Sequence, residues 1–366
     1  MPLDLAPLII PEPRERPLWQ RLILLSGVLL LAFWKLLHLP KSIWPKPVQS
    51  ILNNWTWGMF GVVMVSRVQR AYIDQPCVFR QPARLAPKAD VAAQYRFSEA
   101  DLRAFYRNGF IGPFDGLGEQ EAQWLGRTLM LARDRPSATY GFKTDRDLHL
   151  EVPLMRESML HPAIIERAAQ LLGPDLITWR SQLFHKAAGG AEVQWHQAST
   201  YMVEDYLEPA LVPPDRNELF QLTIWIALDE VTRANGCLRF IRGSHNRIRT
   251  IRFGGERGFY HVNYRLEYDY DPADVVELDM HPGQFVIFSE RTVHGSGPNT
   301  TDRRRLGMNY RVIPPSVRVY PNKTIHRAMH MGQTYDLSKW GVLLLRGEDK
   351  FRLNRYAEFK PLAARS

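Results

Sequence analysis

The feature that most constrains the fold of this 366-residue chain is a change of sequence texture near Leu176. Beyond that residue, short apolar runs alternate with turn residues such as Gly, Pro and Asn. Short runs at regular spacing, separated by turn residues, are typical of antiparallel sandwiches and barrels. The predicted strands cover residues 176–186, 219–229, 237–242, 275–280, 284–289 and 306–313.

The part of the chain that precedes these strands is predicted to be helical. Ser98 and Asp101 have the spacing of a capping box, which opens a first helix. Two further helices are predicted over 119–132 and 162–172, and the second of them is followed by a Gly-Pro pair. Helices followed by strands predict a mainly β (α+β) catalytic domain over 98–366, namely a double-stranded β-helix (a cupin-like jelly roll) buttressed by helices.

The first 66 residues are apolar and rich in tryptophan. Residues 22–34 form an apolar run that reaches membrane-spanning length when it is extended to 18–39, and a shorter run covers 55–65. Five of the ten tryptophans, at positions 19, 34, 44, 55 and 57, lie in this segment near Lys and Arg. Tryptophan beside basic residues is favoured at a membrane interface.

We therefore predict that residues 1–66 form an apolar helical hairpin associated with the cytoplasmic side of a membrane. Residues 67–97, which are interrupted by prolines, are predicted to be a linker. A single membrane span and a hairpin lying in one leaflet are both compatible with this pattern. The same hairpin could instead pack on the catalytic domain or on a second subunit.

The net charge bears on the choice of partners, and the cysteine content bears on the cellular compartment. The net charge is +9, and a basic surface suits nucleic acid, a membrane or an acidic carrier protein. The chain has no zinc-finger spacing and no RNP-type aromatic motif, so a nucleic-acid partner is not expected. Its two cysteines, Cys77 and Cys237, form no CxxC motif, which favours a reducing compartment.

Two of the eleven histidines stand out by their context. His196 lies in the run Gln-Trp-His-Gln-Ala, and His294 follows the predicted strand 284–289. Jelly-roll oxygenases bind Fe(II) with a His-x-Asp/Glu pair and one distant histidine. The pair has this spacing because residues i and i+2 of a strand share a face. The position expected to carry the carboxylate is occupied by Ala198.

Arginine and aromatic residues supply further candidates for a cofactor site. Arg305 and Arg311 have the same parity around the predicted strand 306–313, so both are expected to point inward. An inward guanidinium can hold the carboxylate of 2-oxoglutarate with two parallel hydrogen bonds. Thr223 and Trp225 share a face of their strand and could wall the same site, although core packing explains them equally well.

Together these segments resemble the phytanoyl-CoA dioxygenase superfamily and, within it, the syringomycin-type aliphatic halogenases. The resemblance covers about residues 98–360 and has no counterpart in the first 97. It is carried by the runs WHQAST, WIALDEVTRANGCLRFIRGSH and PGQFVIFSERTVHGSGPN.

The resemblance implies a role for each candidate residue. It implies that His196 and His294 bind iron and that Ala198 leaves a coordination position open for a halide. The cofactors implied are Fe(II), 2-oxoglutarate, O2 and chloride or bromide. The residues implied to surround 2-oxoglutarate are Arg305 and Trp225, and those near the halide are Thr223 and Arg311.

Two residues depart from the pattern of that family. Val193 stands where the family has a threonine that helps to hold 2-oxoglutarate. Val203 stands where an asparagine helps to organise the surroundings of the halide. The second departure puts halide binding in question.

The activity implied is the chlorination of an unactivated aliphatic carbon in an acyl or aminoacyl substrate, either carried by a carrier protein or lipid-like. One alternative is a hydroxylase or desaturase in which water, or a nearby side chain such as Ser199, Glu204 or Asp205, fills the open position. Another is an inactive, membrane-tethered binding protein. Retention of two inward arginines argues against an inactive protein, because unpaired buried charges are costly.

Overall fold

The structure, a computed structural model, describes residues 17–45, 48–49, 52, 57, 60–61, 64, 79–198, 210–215, 217–247, 251–253, 264–266, 269–328 and 333–359. Its helices are α1 (Leu18–Leu36), α2 (Glu99–Asn108), α3 (Glu119–Arg133), α4 (Pro153–Met159) and α5 (Pro162–Leu172). Its strands are β1 (Phe110–Asp115), β2 (Leu176–Lys186), β3 (Val193–His196), β4 (Leu211–Val212), β5 (Leu222–Ala227), β6 (Leu238–Ile241), β7 (Ile251–Phe253), β8 (Tyr264–Leu266), β9 (Val275–Leu278), β10 (Gln284–Ser289), β11 (His294–Ser296), β12 (Arg305–Ile313), β13 (Arg318–Val319), β14 (Ile325–Ala328), β15 (Gln333–Asp336) and β16 (Leu343–Arg346).

A six-stranded antiparallel sheet, the major sheet, forms the centre of the domain. Its strand order is β1-β10-β5-β12-β2-β16. Successive residues of a strand point to opposite faces, and this alternation separates the two sides of the sheet. Leu306 and Met308 of β12, with Ile224 and Ile226 of β5, join a buried cluster that includes side chains of α2, α3, α4 and α5. The helices therefore cover one face of the major sheet.

A four-stranded minor sheet, with the order β3-β11-β6-β9, packs against the other face. Trp225 and Phe288 of the major sheet share a second buried cluster with Leu238 and Phe240 of the minor sheet. The ring centroids of Phe240 and Phe288 are 5.1 Å apart. Two antiparallel sheets that enclose a common interior confirm the predicted helix-buttressed jelly roll.

Most predicted elements lie where the sequence places them. The bounds of β2 and β10 are those of the predicted strands 176–186 and 284–289. The capping box of α2 is present, since Ser98 Oγ accepts from the Asp101 backbone N–H and the Asp101 carboxylate accepts from the Ser98 N–H. β5, β6 and β9 are shorter than predicted, because the flanking residues belong to turns and loops.

β1 is an exception to the expected order of helices first and strands afterwards. It lies between α2 and α3 and pairs with β10 at the edge of the major sheet. β1 was not predicted from the sequence, because it contains Gly112 and Pro113, and both residue types are rare in strand interiors. An edge strand tolerates proline, which has no N–H to donate to a second neighbour.

Residues 79–97, which fall in the predicted linker, pack against the domain. Phe79, Ala89 and Phe97 belong to the buried cluster between the helices and the major sheet. The Phe79 backbone N–H donates to Asn246 O at 2.7 Å. The preceding residues of the predicted linker lie outside the described part of the chain.

The N-terminal apolar segment contains α1, none of whose residues is buried. By length and composition, α1 could cross a membrane. The side chain of Lys35, in its last turn, donates to Leu52 O at 2.7 Å. The second apolar run, 55–65, is described only at Trp57, Phe60, Gly61 and Met64, which are helical. The rest of the predicted second arm lies outside the described residues, as does Cys77.

Candidate active site

β3 and β11 place His196 and His294 opposite each other. The two strands are antiparallel neighbours in the minor sheet, and these histidines are partners in the register. The centroids of their rings are 4.2 Å apart, and the ring planes are inclined by 51°. Two imidazoles this close can supply two nitrogen ligands to one metal ion.

Each imidazole is oriented by the backbone two residues before it. The Nδ1–H of His196 donates to Gln194 O at 2.9 Å, and that of His294 donates to Thr292 O at 2.8 Å. A carbonyl oxygen can only accept, so the proton lies on Nδ1 and the lone pair lies on Nε2 of each ring. A hydrogen bond of this kind commonly fixes the orientation of a metal-binding histidine.

Both rings are neutral at physiological pH. Burial lowers the pKa of His196 to about 4, a shift that the hydrogen bond to Gln194 opposes and the nearby charge of Arg311 reinforces. Burial, followed by the proximity of His196, holds the pKa of His294 well below its ordinary value. A neutral imidazole binds a metal ion without first losing a proton.

Ala198 lies two residues beyond His196 and is 3% exposed. β3 ends at His196, so the strand alternation expected from the sequence does not extend to Ala198. Within the described part of the chain, no group of three or more His, Cys, Asp or Glu side chains could hold a metal ion. The side chains that could instead fill this position, Ser199, Glu204 and Asp205, lie outside the described residues, as does Val203.

A buried cation occupies the interior beyond the histidines. Arg305 is 3% exposed, and its Nη2 donates to Gly236 O at 3.1 Å and to Ser296 Oγ at 3.5 Å. Its guanidinium lies 5.6 Å from the centroid of the Trp225 ring. Burial lowers the pKa of Arg305 to about 10, so the group stays charged. Ser296 follows His294 by two residues on β11, which connects this cation to the histidine pair.

Arg305 and Arg311 lie on the face of β12 that points between the sheets, as their parity predicted. The even-numbered residues between them face the helices. A Cβ atom at Gly307 would lie 2.1 Å from an atom of the Trp225 indole. The indole therefore lies against the backbone of β12, in a space that only glycine leaves open.

Thr223 and Asn309 add buried polar atoms to the same interior. Thr223 is the register partner of Arg311, and Asn309 is the partner of Trp225. Among the described residues, Thr223 Oγ1, Asn309 Oδ1 and the Nε of Arg305 have no hydrogen-bond partner. Buried polar atoms of this kind indicate a ligand or ordered water. The cation, the hydroxyl and the paired imidazoles fit Fe(II) together with a carboxylate-bearing ligand.

Lys186 lies beside Arg305, and the sequence analysis did not single it out. It is the register partner of Arg305 on β2, and it is 6% exposed. Its Nζ donates to Ser296 Oγ at 2.9 Å and to Gly297 O. Its even position in β2 indicates which face of the strand it shares. The sequence does not reveal that β12, which carries Arg305, lies beside β2.

A family profile described as phytanoyl-CoA dioxygenase (PhyH) matches residues 105–307, which is more than half of the chain. This chain belongs to the phytanoyl-CoA dioxygenase family. The matched region of this PhyH chain includes the histidine pair, Ala198, Trp225 and Arg305. The resemblance that the sequence indicated is confirmed.

Two solved structures are similar to the PhyH domain over most of their own length. The structure described as CytC3 with Fe(II) and alpha-ketoglutarate (2-oxoglutarate) is 27% identical, with a TM-score of 0.57, and the match covers 72% of this chain and 94% of that chain. The apo structure of the non-heme monooxygenase ThoJ is 28% identical, with a TM-score of 0.54, covering 70% and 88%.

Among relatives by sequence is a probable alpha-ketoglutarate-dependent hypophosphite dioxygenase from Stutzerimonas stutzeri. It is 33% identical over 147 residues, which are 39% of this chain and 47% of that protein. The chain thus spans about half the length of this relative. The family, its neighbours and the site together identify the domain as that of an Fe(II)- and 2-oxoglutarate-dependent oxygenase.

Proposed function

We propose that this PhyH protein is a halogenase, which chlorinates or brominates an unactivated aliphatic carbon of an acyl or aminoacyl substrate. The observation that carries the proposal is Ala198, a buried methyl group two residues after His196, where the resemblance in sequence leads us to expect an iron-binding carboxylate in a hydroxylase. A methyl group cannot coordinate a metal ion held by His196 and His294. One coordination position is therefore available to a small anion.

In this proposal, Nε2 of His196 and Nε2 of His294 hold Fe(II). Arg305 binds a carboxylate of 2-oxoglutarate, and Trp225 forms the adjacent wall. When bound, Fe(II), 2-oxoglutarate and O2 would supply the oxidising chemistry. The protein orients these groups and keeps the interior closed to bulk water.

Thr223 and Arg311 form the proposed surroundings of the halide. They are register partners on β5 and β12, on the face that points between the sheets. The positive charge of Arg311 contributes to lowering the pKa of both histidines, and the same charge favours an anion beside them. The hydroxyl of Thr223 can donate a hydrogen bond to that anion.

Hydroxylation is the second candidate. The activities of similar proteins favour it, since one is a probable dioxygenase and another is a monooxygenase. In a hydroxylase of this kind, water would occupy the position beside Ala198. The two candidates differ in one measurable property, which is the response of the Fe(II)–2-oxoglutarate complex to halide.

Titration with chloride under anaerobic conditions tests the proposal without knowledge of the substrate. In the wild type, chloride and bromide should change the charge-transfer absorption of the Fe(II)–2-oxoglutarate complex with saturation, whereas sulfate at equal ionic strength should not. The Ala198→Asp variant should not respond, because its carboxylate fills the position and repels the halide. A wild-type spectrum indifferent to both halides, with 2-oxoglutarate bound, would favour the hydroxylase.

We propose further that the protein acts at the cytoplasmic side of a membrane, with α1 inserted. The exposed apolar side chains of α1, which include Trp19, Ile23 and Phe33, support this. The net charge of +9 suits both an anionic lipid surface and an acidic carrier protein that delivers the acyl group. Turnover of one acyl group presented on such a carrier, on a phospholipid and free would show which form is used.

A further inference from the structure

Lys186 and Arg305 are two buried cations that lie side by side. They are register partners on the antiparallel strands β2 and β12, and their exposures are 6% and 3%. Neither forms an ion pair with a carboxylate among the described residues. Two carboxylates whose charges act on these cations are engaged elsewhere, because Asp229 pairs with Arg304 at 3.1 Å and Glu192 pairs with Arg239 at 3.1 Å.

Both cations converge on the same small group of atoms. Lys186 Nζ lies 2.9 Å from Ser296 Oγ, and Arg305 Nη2 lies 3.5 Å from the same oxygen. Gly236 lies between them. Its carbonyl accepts from Arg305, and a Cβ atom on it would lie 3.2 Å from Lys186 Nζ. Because Gly236 has no side chain, Lys186 can lie close to Arg305 at this point.

Two adjacent buried cations repel each other and are costly unless an anion joins them. Burial, reinforced by the charge of Arg305, lowers the pKa of Lys186 to about 7. Val193, the register partner of Ser296 on β3, offers no hydrogen-bonding side chain on that side. Among the described residues, Arg305, Lys186 and Ser296 lie together here and can offer polar contacts to an anion.

We propose that Lys186 is a second cofactor-binding residue, which holds the distal carboxylate of 2-oxoglutarate together with Arg305, with the Ser296 hydroxyl between them. This inference rests on the proposed role of Arg305. It is independent of whether the enzyme transfers a halogen or a hydroxyl group. The ammonium group of Lys186 supplies a point charge, and the guanidinium supplies the planar fork.

The test compares two 2-oxo acids of equal chain length. The full-length, Fe(II)-loaded protein is titrated anaerobically by calorimetry with 2-oxoglutarate and with 2-oxopentanoate, which has a methyl group in place of the distal carboxylate. Lys186→Met should weaken 2-oxoglutarate binding about tenfold or more, because a charge-assisted hydrogen bond is lost. The same variant should bind 2-oxopentanoate within about twofold of the wild type, since that ligand has no charge to lose.

Lys186→Arg should recover most of the affinity for 2-oxoglutarate, because it keeps the charge. Arg239→Gln is the matched control, since Arg239 is a nearby cation already paired with Glu192. It should leave both affinities unchanged. As a second readout, the rise in melting temperature that 2-oxoglutarate produces should shrink in Lys186→Met, while the melting temperature without ligand should stay close to that of the wild type.

Three outcomes would overturn the inference. Unchanged 2-oxoglutarate affinity in Lys186→Met would exclude the contact. Equal weakening of both acids, or a lower melting temperature without ligand, would assign Lys186 the structural role of tethering Gly297. Arg305→Met distinguishes this failure from a failure of the proposed role of Arg305 in binding 2-oxoglutarate. If Arg305→Met loses 2-oxoglutarate affinity and Lys186→Met does not, only the inference about Lys186 is wrong.

Discussion

The rings of His196 and His294 lie 4.2 Å apart across two neighbouring strands, and each donates its Nδ1–H to the carbonyl two residues before it. This hydrogen bond occurs on both β3 and β11, and the two histidines are register partners in the minor sheet. It leaves both Nε2 lone pairs available to one metal ion. The folded backbone thus prepares a two-histidine site before any metal binds.

Replacing either His196 or His294 by alanine should abolish stoichiometric Fe(II) binding. A site with two protein ligands retains only one after the substitution, and a single imidazole holds Fe(II) weakly. Anaerobic titration of Fe(II) with metal analysis after desalting measures this. His281→Ala is a suitable control, because His281 is exposed and pairs with Glu230. Full Fe(II) retention in either site variant would show that the iron is bound elsewhere.

Arg305→Lys should raise the concentration of 2-oxoglutarate needed for half-saturation at least about tenfold. Lysine keeps the charge but loses the planar pair of donors, and a charge-assisted hydrogen bond contributes about 1.5–3 kcal/mol. Arg304→Lys provides the neighbouring control, since Arg304 is partly exposed and pairs with Asp229. If half-saturation does not change, the carboxylate is held by another cation, and Arg311 would be the first to test.

Asp147→Asn should destabilise the domain by about 3 kcal/mol, because it removes the charged partner of Arg146 from a buried, hydrogen-bonded ion pair. Asp147 accepts from Tyr140 Oη at 2.7 Å, from Arg146 Nε at 3.2 Å and from the Ser181 N–H at 2.9 Å. Burial alone would raise the pKa of Asp147, but the neighbouring cations, above all Arg146, lower it below its ordinary value.

The pH dependence of this effect follows from the direction of that shift. Because the pKa of Asp147 is lower in the folded state, the ionised carboxylate stabilises the folded protein. This contribution is complete when the pH lies above the pKa of an unfolded aspartate, which is about 4. The contribution decreases as the pH falls from there through the folded value. Chemical denaturation at pH 7 and at about pH 3.5 should therefore show a smaller difference between wild type and variant at the lower pH. A variant as stable as the wild type at pH 7 would contradict the expectation.

Removal of residues 1–74 should abolish binding to lipid vesicles and leave Fe(II) and 2-oxoglutarate binding intact. The candidate site residues all lie beyond residue 185, whereas the apolar helix α1 ends at Leu36. Flotation with anionic phospholipid vesicles measures the first property, and calorimetry measures the second. A full-length protein that stays soluble without detergent and does not float would show that α1 packs on protein instead.

A shorter chain that begins at Val91 should be less stable than one that begins at Gln75. It lacks Phe79, which is buried against the domain and stacks on Tyr106 at 6.3 Å between ring centroids. Loss of a buried phenylalanine costs about 3–5 kcal/mol. Equal melting temperatures of the two shortened chains would show that residues 75–90 do not stabilise the domain.

Strands with turn residues at both ends could be predicted from the sequence. The two histidines could also be predicted, because they lie in recognisable motifs. β2 and β10 have clear boundaries, and the parity of Arg305 and Arg311 indicated their common face. β1 was missed because Gly112 and Pro113 resemble a loop. Lys186 was missed for a different reason. Its significance depends on β2 lying beside β12, and strand neighbours that are more than a hundred residues apart in the chain leave no local signal.

The most direct test of the proposed halogenase is anomalous diffraction from crystals grown anaerobically with Fe(II), 2-oxoglutarate and bromide. The proposal predicts a bromide peak bound to the iron on the side of Ala198, and no such peak in Ala198→Asp. Wild-type crystals with iron and 2-oxoglutarate in place but water, and no bromide, at that position would contradict it.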